Sequence, residues 1–206
     1  MDLIVSTRNK DKYREIKQLF RSSGINVLNL DDFSGLPEVV EDGCTFEENA
    51  VKKALTVAKI TKRLVVADDS GLEVPALNNA PGVYSARFSG KNATYESNNR
   101  KLLELLKGLP KSRRRARFVC CVAIADSDKV VGTVFGTCSG IIAEQPKGRK
   151  GFGYDPVFIY PALNKTFAQI SAELKNSISH RSRAFQKAKT VVLKYLKTTG
   201  KKGKEQ

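Results

Sequence analysis

Two adjacent carboxylates, Asp68 and Asp69, followed by the hydroxyl of Ser70 and by Gly71, are the residues of this sequence best equipped for chemistry. Neighbouring anions repel each other unless a cation or strong donors hold them, and a divalent metal ion is their natural companion. A carboxylate beside a metal can also orient and deprotonate a water molecule. Residues 64–67, Leu-Val-Val-Ala, form a short apolar run with two β-branched members and read as a buried strand. On that reading the strand ends at the acids and Gly71 turns the chain. Both carboxylates then sit at the carboxyl edge of a sheet, where open α/β sheets bind ligands. Asp, Ser and Gly are equally at home in a solvated turn, so these residues by themselves leave both readings open.

Two further stretches carry groups suited to an anion. Thr7, Arg8, Asn9, Lys10, Asp11 and Lys12 follow the apolar run Leu3-Ile4-Val5 and lead into a helix whose apolar face is Tyr13, Ile16, Leu19 and Phe20. A strand followed by a helix N-terminus offers backbone N–H groups to an anion, with Thr7, Asn9 and Lys12 as side-chain donors. The spaced glycines and Gly-Lys-Ser/Thr ending of a Walker-type loop are missing. Residues 145–156 hold Gly148, Gly151 and Gly153 among Lys147, Arg149 and Lys150. Such a loop lets backbone and positive charge approach a polyphosphate together. Phe152 and Tyr154 add planar faces for a base, and Asp155 adds an acceptor. His180, the one histidine, stands at the start of the last helix, where a structural or solvated role is the commoner one.

The elements that must position these groups alternate strand and helix. After Gly24 comes a strand over 25–30, and Thr45 with Glu48 has capping-box spacing for a helix reaching Thr61. That spacing makes Glu47 and Glu48 solvated or capping residues and leaves Glu41, before the glycine turn, as the better candidate to lean into the acidic site. Residues 72–75 are strand-like, 80–90 form a long loop, and 92–107 are helical with Leu102, Leu103, Leu105 and Leu106 facing inward. Residues 117–126 and 129–143 read as a hairpin about Ser127-Asp128, apolar on both faces and so central in its sheet. The last helix is built on Phe185, Ala188, Val191, Val192 and Tyr195.

The 206 residues, 41% hydrophobic, suffice for a single domain with a real core. No apolar stretch approaches membrane-spanning length, and the first residues go straight into a strand without a signal peptide, which points to an intracellular protein. Cys44, Cys120, Cys121 and Cys138 show no paired metal spacing, and Cys120 and Cys121 point to opposite faces of one strand, as buried thiols. The formal charge is +15, with local concentrations at 111–117 and 197–204, yet ten of the twenty-one acids lie between Asp31 and Glu73. A basic body with an acidic pocket wall suits an anionic substrate carried on a metal ion; it also suits nucleic acid, and charge does not decide between them. The end of the chain, residues 200–206, reads as a flexible basic tail.

Six segments in order resemble the inosine triphosphate pyrophosphatase family of house-cleaning nucleoside triphosphate pyrophosphatases. They are Thr7-Arg8-Asn9 with Lys12; Glu41-Asp42-Gly43 with Thr45-Phe46 and Asn49-Ala50; residues 67–72; residues 81–87; residues 151–156; and Ile178-Ser179-His180-Arg181. Together they span nearly the whole chain. The resemblance implies an α/β fold of two lobes around a long central mixed sheet, with a substrate cleft between the lobes. It implies a cytoplasmic homodimer that uses Mg²⁺ to hydrolyse ITP, dITP or XTP to the monophosphate and pyrophosphate, with no membrane and no nucleic-acid partner. By position, Asp69 is implied as general base and metal-associated acid, and Glu41 as metal ligand. Thr7 to Lys12 and Lys175 are implied as the phosphate grip. Ser70, Phe152, Gly153, Tyr154, Asp155, His180 and Arg181 are implied as the nucleoside pocket. Arg8 stands where many relatives have glycine, and Gly148-Arg149-Lys150-Gly151 replaces a Gly-Thr-Gly-Gly run. The alternatives are a basic nucleic-acid-binding protein and a related pyrophosphatase acting on modified pyrimidine nucleotides.

Overall fold

A computed structural model describes residues 2–21 and 24–202, with side chains through residue 199. Strands β1 (Asp2–Val5), β2 (Asn26–Asn29), β3 (Leu64–Glu73), β4 (Arg115–Asp126), β5 (Lys129–Ile142), β6 (Phe158–Tyr160) and β7 (Lys165–Thr166) form one open sheet in the order β2-β1-β3-β4-β5-β6-β7. Helices α1 (Lys10–Phe20), α2 (Phe46–Thr61), α3 (Tyr95–Leu105), α4 (Ala172–Ile178) and α5 (His180–Lys202) complete an α/β fold. The sheet is mixed: β1 runs parallel to β2 and to β3, whereas β6 is antiparallel to β5 and β7. Helix α5 reaches Lys202, and the remainder of the expected flexible tail, 203–206, lies outside the described residues.

Packing divides the chain into two compact units, the first made of residues 1–69, 120–136 and 181–206, the second of 70–119 and 137–180. The core of the first unit joins Leu3 and Val5 of β1, Ile16 and Phe20 of α1, Leu64 and Val66 of β3, and Ala184, Phe185, Ala188 and Val192 of α5. Phe20 meets Phe185 edge to face at 6.2 Å, the arrangement the ring quadrupoles favour. The helical spacing of both apolar faces is thus realised as the sequence predicts. The core of the second unit gathers Leu72, Leu102, Leu106, Phe118, Tyr154, Phe158 and Phe167.

Three expectations change. Strand β3 does not stop at the acids; it continues through Asp68, Asp69, Ser70 and Gly71 to Glu73, because neighbours on the sheet keep its backbone extended. Leu105 is exposed, since Leu102 and its helical neighbour Leu106 already fill the inward stripe. In the basic run at 111–117, Arg114 is buried and serves the fold: its guanidinium donates to the carbonyls of Leu106, Ile142 and Ala143 at 2.6–2.8 Å. It adds donors to carbonyls at the ends of α3 and β5, that of Leu106 also accepting from the Leu109 N–H.

Candidate active site

The first unit places a charged cluster on β3. Alternation along the strand sends Asp68 and Asp69 to opposite faces, and each meets a different set of partners. Asp69, 5% exposed, accepts a hydrogen bond from Asn49 Nδ2 at 3.1 Å and lies 3.7 Å from Lys53 Nζ. Asn49 and Lys53 are four residues apart on α2 and share one helix face. Lys53 Nζ also donates at 2.6 Å to Glu41 and at 2.6 Å to the Asp68 carbonyl. The Glu41-Asp42-Gly43 segment is shaped for this. The Gly43 N–H donates to Asn49 Oδ1 at 2.8 Å, and a Cβ on Gly43 would lie 2.8 Å from both Asn49 Oδ1 and Glu48 Cβ. Thr45 caps α2 by accepting from the Glu48 N–H, as the spacing predicts, whereas the Glu48 carboxylate reaches one residue further back, to Cys44 N, instead of the Thr45 N–H of a full capping box.

Electrostatics separates the roles. Burial raises the Asp69 carboxyl above the usual aspartate range; Lys53 and Lys12 pull it down, Glu41 pushes it up, and the net direction is upward. Burial works against the Lys53 ammonium, yet the negative charges of Asp69, Glu41 and Asp68 outweigh it and hold Lys53 above its ordinary value. The result is a proton-accepting carboxylate beside a fixed cation. On the other face, Asp68 is 1% exposed and its Oδ2 meets Lys12 Nζ at 3.1 Å and Arg181 Nε at 3.4 Å, with Cys120 Sγ at 3.9 Å. Arg181 also donates to Glu15 at 2.6 Å, and these carboxylates hold its charge firmly. Asp68 therefore orients cations. Cys121, buried on the same strand as Cys120, has its thiol pushed up to about 12 by burial, which suits an inert thiol.

The segment from Thr7 to Lys12 is ordered from within. Asn9 caps α1 by accepting from the N–H groups of Asp11 and Lys12 at 3.0 Å, its carbonyl accepts from Tyr13 N, and Asn9 N donates to Thr7 Oγ1. The amides expected to meet an anion are thus largely spent on the cap, leaving the grip to side chains. Arg8 donates to the Leu36 carbonyl at 3.1 Å, Asp11 pairs with Arg14 on the surface, and Lys10 is exposed. Of the six, Lys12 is the one drawn toward the acids.

The second unit builds an aromatic cluster. Lys175, 4% exposed, donates to Asp155 Oδ2 at 2.5 Å and lies 4.5 Å from the centre of the Phe152 ring, a cation–π arrangement. The same Asp155 oxygen accepts from the Phe152 N–H at 2.9 Å. Lys175 thus belongs with the aromatic residues. Tyr154 departs from its expected stacking role: it lies in the core and its hydroxyl donates to the Ser85 carbonyl at 2.9 Å, with burial raising the phenol. Ser85 in turn accepts from Leu72 N, so the 81–87 segment braces the Tyr154 turn. The room left by Gly148 is taken by the Ala168 carbonyl, 2.3 Å from a Cβ placed there, and that left by Gly151 by Asp155 Oδ2 at 2.0 Å. These glycines serve internal packing rather than close approach of a polyphosphate. Arg149 and Lys150 remain exposed and line, with Phe152, Gly153, Asn99 and Tyr95, a cavity of about 1060 Å³. His180 stacks on Phe118 at 4.5 Å with the planes 11° apart, and Ser70 is half-buried on the face of β3 that carries Asp68.

Sequence reasoning missed Lys53 as a member of the site. Its signal was a lone cation among Ala50, Ala54 and Val57 on the buried face of α2, four residues after Asn49. Among the described residues no group of three or more His, Cys, Asp or Glu could hold a metal ion. Glu41 and Asp69 nonetheless converge on one cation, the Lys53 ammonium.

A mixed open sheet that carries a buried acid–lysine cluster defines an α/β protein with a candidate hydrolytic site. The Ham1 family model matches residues 3–191, and the chain belongs to the Ham1 family. A dITP/XTP pyrophosphatase from Desulforamulus reducens is 49% identical over 192 residues, covering 93% of this chain and 96% of that protein. One of the same name from Geobacillus kaustophilus is 47% identical, covering 90% and 91%. The solved structure of the Staphylococcus aureus Ham1 protein is 40% identical with a TM-score of 0.83, covering 95% of this chain and 100% of that one.

Proposed function

We propose that this protein hydrolyses the non-canonical purine nucleoside triphosphates ITP, dITP and XTP to the monophosphate and pyrophosphate, by attack of water on the α-phosphorus. The observation that carries the reading is Asp69, a buried carboxylate oriented by Asn49 and flanked by Lys53, in a chain of the Ham1 family. Its relatives named dITP/XTP pyrophosphatase support the substrate class. Asp69, with its raised affinity for a proton, takes the proton of the attacking water. Lys53 and Lys12 bind phosphate oxygens and offset the charge that gathers on the departing pyrophosphate. The family resemblance assigns Ser70, Phe152, His180 and Arg181 to recognition of the 6-oxo purine, and in this chain Arg181 is held in place by Glu15 and Asp68. An amino group at that position leaves such donors unpaired, at about 1–3 kcal/mol for each buried one.

The residues fit a divalent cation, and Mg²⁺ is the one proposed. Glu41 and Asp69 already share one positive charge, at 2.6 and 3.7 Å from Lys53 Nζ, and would hold the ion together with phosphate oxygens of the substrate. Mg²⁺ is commonly bound through one or two carboxylates plus substrate phosphates, so a third protein acid is not required. When bound it supplies charge neutralisation on the phosphate oxygens. The family resemblance further motivates a homodimer in the cytoplasm, for which light scattering should return twice the monomer mass. No helix among the described residues is long and apolar enough to cross a membrane.

Pyrophosphate release from ITP, dITP, XTP, ATP and GTP, with Mg²⁺ and again with a chelator, tests the reading. The inosine and xanthosine substrates should give the highest kcat/KM, lost on chelation. Equal kcat/KM on ATP, GTP and ITP would overturn the proposal.

A further inference from the structure

We infer that Asn99 of α3 is a specificity-determining positioning residue, holding the Phe152-Gly153 turn at the angle that presents the Phe152 ring to the base. The inference rests on the functional reading above and deepens it. Asn99 is 6% exposed, and its Nδ2 donates to the Gly153 carbonyl at 2.9 Å, a contact made across fifty-four residues of chain. Gly153 has φ +61° and Gly151 φ +73°, so the turn consists of backbone that readily adopts other conformations. A Cβ on Gly153 would meet nothing within 4 Å, so side-chain packing at that position does not fix the turn. What holds it is a set of hydrogen bonds: Asp155 accepts from the Phe152 N–H and its own N–H donates to the Phe152 carbonyl, the Ser85 carbonyl accepts from the Tyr154 hydroxyl, and Asn99 holds the next carbonyl, that of Gly153. Asn99 Oδ1, by contrast, is buried and accepts no hydrogen bond. Of the two polar ends of this buried side chain, only the donor is engaged, so what Asn99 contributes in hydrogen bonding is its bond to Gly153. Tyr95, one helical turn before Asn99 and on the same face of α3, lies 6.1 Å from Phe152 ring to ring, so the two residues meet the same turn.

Without that donor the Gly153 carbonyl turns toward water, which loosens the glycine joint that follows the Phe152 ring while Asp155 still holds the Phe152 N–H and carbonyl. The cost falls on recognition of the base and leaves the acids on β3 unaltered. Asn99→Asp keeps the shape and replaces the donor by a carboxylate that repels the Gly153 carbonyl. Relative to wild type, KM for ITP should rise about tenfold and the ITP-over-ATP preference should fall by a similar factor, with kcat within about threefold. Because a protonated aspartic acid regains a donor, the variant-to-wild-type KM ratio should decline as pH is lowered, which a merely structural defect would not produce. Asn99→Ala, which removes the donor without adding charge, should show the same KM and preference changes with no pH recovery, and it keeps the test available should Asn99→Asp not fold. Unchanged KM and preference in the folded variants, or a fall confined to kcat, would overturn the assignment. No pyrophosphate release from ITP by the wild-type protein would instead overturn the functional reading, and this inference with it.

Discussion

At the scale of single residues, Asp68 and Asp69 are chemically identical and one position apart, and their surroundings give them different partners, from which the proposed reading assigns them different tasks. Asp69→Asn keeps the shape while removing the charge and nearly all the basicity, so kcat should fall roughly 10²–10⁴-fold. The stability effect follows from the direction of its shift. A carboxyl raised in the folded state contributes stability while protonated, and that contribution is lost as pH rises through the raised value. Where Asp69 is ionised it is thus a burden on the fold, and at such pH Asp69→Asn should melt no lower than wild type. Any gain in Tm should shrink as the pH falls and wild-type Asp69 takes up its proton. Asp68→Asn should behave the other way. It removes the buried partner of Lys12 and Arg181, and breaking a buried pair costs about 3–5 kcal/mol, so Tm should drop clearly while kcat suffers less. Kinetics across a Mg²⁺ titration with a thermal melt on each variant separates the two. A dead but well-folded Asp68→Asn beside a near-normal Asp69→Asn would reverse the assignment.

At the scale of elements, α2 shows how a helix is cut to fit a carboxylate. Its start is fixed by the Thr45 cap, its buried stripe is small residues, and Asn49 and Lys53 rise from that stripe toward Asp69. Gly43 is the point of closest approach, so Gly43→Ala should push Asn49 away and lower kcat about tenfold with KM for ITP little changed. Melting measured in parallel guards against a folding defect, and an unaltered kcat in a folded Gly43→Ala would deny Asn49 its orienting role. Much of this was legible in the sequence, because cap spacing and helical apolar periodicity are local signals: Thr45 with Glu48, the Tyr13 to Phe20 face and the last helix were all readable. The sheet order around β3 is a long-range property, which is why Gly71 read as a turn although the strand runs on to Glu73. For the same reason Asn9 read as an anion donor although it caps its own helix, and Tyr154 read as a stacking ring although it lies in a core. Residue type discloses what a group can do, and packing selects which of those things it does.

At the scale of the whole molecule, a charge of +15 is a field as well as a set of contacts. Part of the basic run is spent on the fold, since Arg114 is buried against three carbonyls. Arg149 and Lys150 differ: both are exposed and line the cavity beside Phe152, and the loop beneath them is pinned by Gly148 against Ala168 and by the Lys150 N–H to the Ala168 carbonyl. Replacing them with the Thr and Gly of relatives leaves those backbone bonds in place and removes two cations from a rigid mount. A nucleoside triphosphate carries several negative charges, so its approach to such a loop is accelerated at low ionic strength and screened beyond about 10 Å at 0.1 M salt. The double variant Arg149→Thr, Lys150→Gly should therefore raise KM for ITP several-fold at low salt, with kcat and Tm nearly unchanged. Added salt should raise the wild-type KM steeply and the variant's only slightly, so that the two curves converge. An unchanged KM at low salt would show that the pair plays no part in capturing the substrate and that the steering field resides elsewhere on the basic surface.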